Sequence, residues 1–378
     1  MSLPTTLRRW FRFSLAELLV ATILLGAGVG IYVLASTASF QHDLKLESVR
    51  VARLISRDEL LVLYTDANRQ DQLLKVHLRS GSTTPFVVGI TSKFQADNRV
   101  YALEVSRDHR IIAISLIATA PLLVVCDATT GKITRVFDDA IPAIVAVSIH
   151  GGYIATKDET LPDGTKLGPV YDVTEGKLIP EWRKCAGVRL FLANDSRVLC
   201  ITPSAAKVIE FPSAKPLFSI GRGACPACVV ALADDESCVA IQDEDGTVGL
   251  FNPESGSFLG PRIDHGHGEV LADVAIEPSG NLVAASSFSR KITLWNRYTG
   301  KQEALIDTGA INQYVAFPER GRLLTLSADG KLTVRRVGAN NSEIALYIVA
   351  ACALAVLILL RLFRRLPAKK ARAAVSDS

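Results

Sequence analysis

A cysteine pair, two neighbouring histidines and one acidic stretch are the places in this 378-residue chain where residue type and spacing invite chemistry. Cys225-Pro226-Ala227-Cys228 has the C-x-x-C spacing used for thiol exchange and for metal ligation. No βαβ pattern surrounds it, and neither a second C-x-x-C nor a following His completes a zinc or haem site. A local disulfide in an oxidising compartment is the chemistry left to Cys225 and Cys228. Cys126, Cys200 and Cys238 fall on strand-like runs and read as small buried apolar thiols. His265 and His267, in Asp264-His265-Gly266-His267, are the one close histidine pair and have the proximity that metal ligation uses. The stretch Lys157-Asp158-Glu159-Thr160-Leu161-Pro162-Asp163-Gly164 lacks the regularly spaced oxygen ligands that calcium needs and reads as a solvated hairpin. With no G-x-S-x-G and no phosphate-cradling glycine loop, no catalytic residue, metal or cofactor is expected.

The elements that must carry these residues are strands. Residues 43–338 contain no long amphipathic helical pattern; short runs rich in Val, Ile and Leu alternate with turn residues. Small turns recur at Ser80-Gly81, Thr130-Gly131-Lys132, Glu175-Gly176-Lys177, Ser255-Gly256 and Thr299-Gly300-Lys301, with glycine spacings of 50, 45, 80 and 44. The double step places a missing member at Ser213-Ala214-Lys215, where the turn persists without its glycine. Between markers each unit reads as four strands joined by turns, one small antiparallel sheet. Asp245-Gly246 and Asp329-Gly330 predict tight hairpins in which both central residues take positive φ. Counting back gives seven units, beginning near residues 47, 99, 142, 186, 227, 271 and 311, about 42 residues each, the period of propeller blades.

The unit around residue 271 carries the most telling residues: Gly266-His267, Val274-Ala275-Ile276-Glu277-Pro278-Ser279-Gly280 and Leu294-Trp295-Asn296. In these the chain resembles the WD40 family, with Trp-Asn in place of Trp-Asp. The repeat spacing covers about 80% of the chain, while the distinctive residues sit mostly in that one unit. The resemblance implies an all-β, seven-bladed propeller and a buried tetrad using His267, Ser287 and Trp295, with Ser289 where the family has Asp. Neighbouring units keep Asp245 and Asp329 at the matching turn but have Phe251 and Arg335 in the Trp position. The seventh unit shows three strands, and Gln41–Leu46 is expected to supply the fourth, closing the ring from the other end of the chain.

Two uncharged apolar runs frame this region. Leu18 to His42 lacks Asp, Glu, Lys and Arg, and Ile344 to Leu360 does too. Each is long enough to cross a bilayer. The expected organisation is a basic cytoplasmic N-terminus at 1–12, a transmembrane helix or uncleaved signal anchor at 13–38, the propeller at 41–338, a second transmembrane helix at 342–363 and a basic cytoplasmic tail at 364–378. Setting aside the nine bases outside residues 13–360, together with Glu17 and Asp377, leaves 33 bases against 36 acids. That balance removes the electrostatic case for nucleic-acid binding. The flanking Arg and Lys place both termini in the cytoplasm and the propeller outside it, on the periplasmic side of a bacterial inner membrane if the source is bacterial. Ser36 and Ala38 offer the competing reading of a cleaved signal peptide. Arg8-Arg9-Trp10-Phe11 resembles part of a twin-arginine signal, and Phe13 to Leu19 resembles a prepilin pattern with Arg12 where that family has Gly.

The function expected is non-catalytic: an extracytoplasmic scaffold docking a protein or peptide partner, tethered to the bilayer by two helices. WD40-like domains commonly present such a surface on loops at one end of the ring. Candidate docking residues are Asp158, Glu159, Asp163, Lys166, Arg183, Lys184, His265 and Glu269. A propeller enzyme of lactonase or quinoprotein type is the alternative; it needs inward carboxylates or histidines from several blades, and strand starts rich in Val, Ala and Ile offer no such set. An assembly factor that pairs client strands at a blade edge is a third reading.

Overall fold

The computed structural model describes residues 39–86, 99–117, 122–138, 144–156, 159–160, 166–184, 187–202, 205–220, 229–243, 246–264, 271–278 and 281–337. Both apolar runs read as membrane spans, their basic flanks and the Cys225/Cys228 pair lie outside these residues. Among the described residues, no helix is long and apolar enough to cross a membrane.

Residues 39–337 form one compact unit of antiparallel sheets. Among the described residues, six have four strands and one has three, with an added two-stranded hairpin. They begin at Ser48, Arg99, Ile144, Val188, Val230, Leu271 and Asn312, each within three residues of the start expected from the repeat, and are numbered blades 1 to 7 below. Within a blade, strand order follows chain order. The first strands of blades 5, 6, 7, 1, 2, 3 and 4 contact one another in that succession, so they line the centre of a ring. Side chains alternate across each sheet. In blade 7, Leu332 and Val334 pack toward Leu60, Val62 and Val76 of blade 1, while Val315, Phe317 and Leu323 pack toward Ala284, Ile292 and Leu294 of blade 6. Both faces of a blade are buried, which is why its strands read as continuous Val/Ile/Leu runs.

The ring closes as the sequence suggests. Phe40–Asp43 pairs with Lys331–Arg336 in the register Phe40↔Val334 to Asp43↔Lys331, slightly earlier than the expected Gln41–Leu46. Closure leaves no blade with an open edge toward a missing neighbour.

The recurring glycine turns join the third and fourth strands. Gly81, Gly131, Gly176, Gly256 and Gly300 all have positive φ, and each amide donates to the carbonyl four residues back. Ala214 stands in the sixth such turn at φ 58°, its amide donating to Glu210 O at 3.0 Å. The turn is thus kept at the cost of a left-handed alanine, on the order of 1 kcal/mol.

Two expectations need correction. At Asp329-Gly330 only Gly330 has positive φ (82°); its amide donates to Ser327 O, and the loop is three residues long. A type I turn followed by a left-handed glycine produces this geometry without bending Asp329 out of its preferred region. Among the described residues, blade 5 shows no regular fourth strand: beyond Val230–Leu232, Val239–Gln242 and Val248–Phe251 there are only the isolated bridges Val248↔Ile263 and Phe251↔Phe258. Pro261 lies between them, and a proline cannot donate to a ladder.

Candidate functional site

Residues singled out from the sequence separate into those the structure describes and those it does not. Asp158, Asp163, His265, Gly266, His267, Glu269, Cys225 and Cys228 lie outside the described residues. Glu159 and Lys166 belong to the hairpin Glu159–Thr160/Lys166–Leu167, which connects the second and third strands of blade 3. Arg183 and Lys184 end the 3-10 helix Pro180–Lys184. Cys126, Cys200 and Cys238 are buried and unbridged, and burial pushes the Cys126 thiol up to about 12.

Of the tetrad residues, Ser287 is fully buried with its Oγ 2.5 Å from Ser289 Oγ, and Trp295 is buried in the core between blades 5 and 6. Asn296 accepts hydrogen bonds from the amides of Tyr298 (3.0 Å) and Thr299 (3.1 Å), fixing the turn that follows. Asp127 and Asn252 do the same in blades 2 and 5. Asp or Asn at the end of the third strand thus has a local role in this chain: an Asx-type cap on the turn between third and fourth strands.

The centre of the ring corrects the expectation that no inward polar set exists. Arg53 of blade 1 donates from Nε to Glu104 Oε2 at 2.8 Å and from Nη2 to Oε1 at 2.5 Å, a bidentate pair with blade 2. Its guanidinium lies 5.9 Å from the ring centroid of Tyr314 in blade 7, whose oxygen accepts the Leu54 amide at 3.2 Å. Asp273 of blade 6 accepts from the Val274 and Val315 amides, each at 2.9 Å. Four blades are tied together through these side chains. Burial opposes the Arg53 charge, but the Glu104 carboxylate and the Tyr314 oxygen hold its pKa above the ordinary value. Burial pushes Asp273 up to about 6, against the pull of the Val315 amide and Arg53. Arg53 and Glu104 were hidden in the sequence because each lies among Val, Ala and Leu with no motif around it.

The sign of the Asp273 effect follows from linkage. The folded chain binds this proton more tightly than the unfolded one, so the contribution to stability is full below pH ~4, is lost as pH rises to about 6, and is absent above. The expected difference is on the order of 2 kcal/mol. Asp273→Asn keeps an acceptor for the Val315 amide and removes the titration. Denaturation of both proteins from pH 4 to 7 should show wild type losing stability relative to the variant across that window; parallel curves would refute the assignment.

At one end of the ring, the loops between first and second strands bind one another. His109 Nδ1 lies 3.1 Å from Leu54 O, Asp108 N donates to Ile149 O, Ile149 N donates to Asp195 Oδ1, Ala193 N donates to Glu236 Oε2, and Gly321 N donates to Glu277 Oε1. Arg107 of blade 2 reaches three blades round the ring: its Nη1 donates to Glu236 Oε1 at 2.7 Å and its Nη2 to Asp234 O at 2.6 Å. These loops border a basin of about 950 Å³ with carboxylates from Asp108, Asp234, Asp235, Glu236 and Glu254 against the guanidiniums of Arg107 and Arg197. Burial raises the Asp108 and Asp235 carboxyls, but hydrogen bonds from Ser106 and Ser237 outweigh it and hold both below the ordinary range. The basin is therefore anionic at neutral pH.

No protein-family model and no curated protein matches the chain. Its fold is shared by 1695 chains of solved structures, among them a chain in the crystal structure of a mitotic checkpoint complex. That likeness has a TM-score of 0.57 at 13% identity and covers 80% of this chain and 95% of the other. The chain is a seven-bladed β-propeller. Identity this low fixes the propeller's architecture and leaves its chemistry to the particular side chains described above.

Proposed function

We propose that this propeller is a membrane-tethered, non-catalytic scaffold that docks a protein or peptide partner outside the cytoplasm. The observation that carries the reading is the closure of blade 7: chain entry at Phe40 and exit after Arg336 lie on paired neighbouring strands. The two apolar segments read from the sequence therefore continue from adjacent points, as a two-pass tether requires. The basin at the loop end supports docking, because a rigid ring positions five carboxylates against two guanidiniums. A partner segment with surplus positive charge complements it. At the centre, Arg53 and Glu104 are engaged with each other and Asp273 with backbone amides, which favours a structural over a catalytic role there.

Protease added to intact cells and to spheroplasts tests the placement. Cleavage between residues 39 and 337 only once the outer barrier is opened is expected, and protection in spheroplasts would overturn it. For docking, a photo-crosslinker at Asp235 should give a discrete protein adduct that charge reversal at Asp234 and Glu254 abolishes. Adducts insensitive to that reversal would move the docking surface elsewhere.

A further inference from the structure

The end of the ring that carries the basin is divided by charge. Carboxylates dominate there on blades 2 to 5. In an antiparallel blade the turn after the third strand returns to the same end as the turn after the first. On blades 6, 7 and 1 these turns carry Arg297, Lys301, Arg320, Arg57 and Arg79, and Arg336 ends the third strand of blade 7 beside them. The basic side is therefore an arc over three neighbouring blades.

The few acids on these turns are already engaged. Asp58 takes Arg79 at 3.0 Å, Glu319 takes Arg322 at 2.8 Å, and the buried Glu277 accepts the Gly321 amide at 2.7 Å. Arg57, Lys301, Arg320 and Arg336 are exposed and, among the described residues, make no ion pair. Four positive charges are left over. At the opposite end of blades 7 and 1, Asp43, Glu47, Asp66 and Asp329 offset the bases, and no such excess arises. The chain also leaves the ring at the basic end: the Val337 amide donates to Gly321 O at 2.8 Å, in the first turn of blade 7, and Phe40 pairs with Val334 near that end while Asp43 pairs with Lys331 at the other.

We propose that this arc is a lipid-binding surface that takes the phosphate groups of anionic phospholipids. It rests on the tethered reading above, in which the two spans begin within five residues of Phe40 and Val337. Five extended residues reach at most about 18 Å, so headgroups are within range of the arc. Unpaired bases beside a membrane anchor gain from an anionic surface, and guanidinium groups match phosphate oxygens in pairs. Tyr298 adds a second feature: it is 58% exposed, with its ring 4.8 Å from the Arg297 guanidinium. An amphipathic ring of this kind suits the headgroup layer. The acidic basin lies on the other side of the same end and stays free for a basic partner.

The test follows hydrogen exchange at residues 55–58 and 318–322 of the full chain on phosphatidylcholine vesicles with and without phosphatidylglycerol. Exchange about 10-fold slower on the anionic vesicles is expected, with the difference lost at high salt. The combined variant Arg57→Gln, Arg320→Gln and Arg336→Gln should abolish it, while lysine at the same three positions should keep it, because charge rather than shape is read. All three residues are exposed, so neither variant threatens the fold. Alkaline carbonate extraction reads the tether separately: a chain washed from the vesicles refutes the spans, and salt-sensitive protection by added anionic vesicles then still decides the arc. Equal exchange on the two kinds of vesicle, or protection unmoved by the glutamine variant, would overturn the proposal. Protection by soluble polyaspartate but not by vesicles would overturn it too, assigning the arc to an acidic protein.

Discussion

Gly187→Ala should destabilise the propeller by about 3–5 kcal/mol, combining a left-handed β-carbon with a backbone clash. Gly187 has φ +81°, and a Cβ built on it would lie 2.1 Å from Ile201 O and 2.8 Å from Ile201 C. The obstacle is main chain, so no side-chain rotation relieves it. It is also already engaged, because Ile201 N donates to Gly187 O at 2.6 Å where the first two strands of blade 4 meet. Equilibrium denaturation is the measurement. Gly152→Ala is the control: its φ is not positive and its Cβ would meet nothing within 4 Å, so a change within about 0.5 kcal/mol is expected there. If both variants unfold at the same denaturant concentration, the close approach at Gly187 is wrong.

Trp182→Ala should cost a comparable amount, about 3–5 kcal/mol. Blade 3 ends in a fourth strand of only two residues, Lys177–Leu178, and the short 3-10 helix that follows inserts Trp182, fully buried, into the core it shares with blade 4. The indole Nε1 donates to Pro212 O at 2.8 Å, and its ring lies 5.1 Å from Phe211, which in turn meets Tyr153 at 4.7 Å and Phe191 at 5.7 Å. One side chain thus supplements the shortened outer strand. Trp182→Phe keeps most of the apolar contact and loses the hydrogen bond, for an expected cost nearer 1–2 kcal/mol. Near-wild-type stability of the alanine variant would mean that the helix does not hold the seam between blades 3 and 4.

The blade repeat was legible because its signals are local. Runs of Val, Ile and Leu mark strands buried on both faces, and a left-handed turn every forty-odd residues demands glycine or a tolerated substitute. Even the degenerate turn at Ala214 was placed correctly, since its flanking strands keep their pattern. The Asp329-Gly330 hairpin was misread in detail because the dipeptide fits more than one loop length, and strand register makes the choice. The fourth strand of blade 5 failed for a reason the sequence carried in Pro261, whose missing amide weighs against a ladder.

Seven units and their approximate boundaries were set by the order of residues alone, because backbone conformation and side-chain alternation act over a few neighbours. Which charges meet is a different matter. Arg53 and Glu104 are 51 positions apart and Arg107 and Glu236 are 129 apart. Nothing near any of them in the chain names its partner. Only when the ring is closed do the first strands converge and the loops at one end touch.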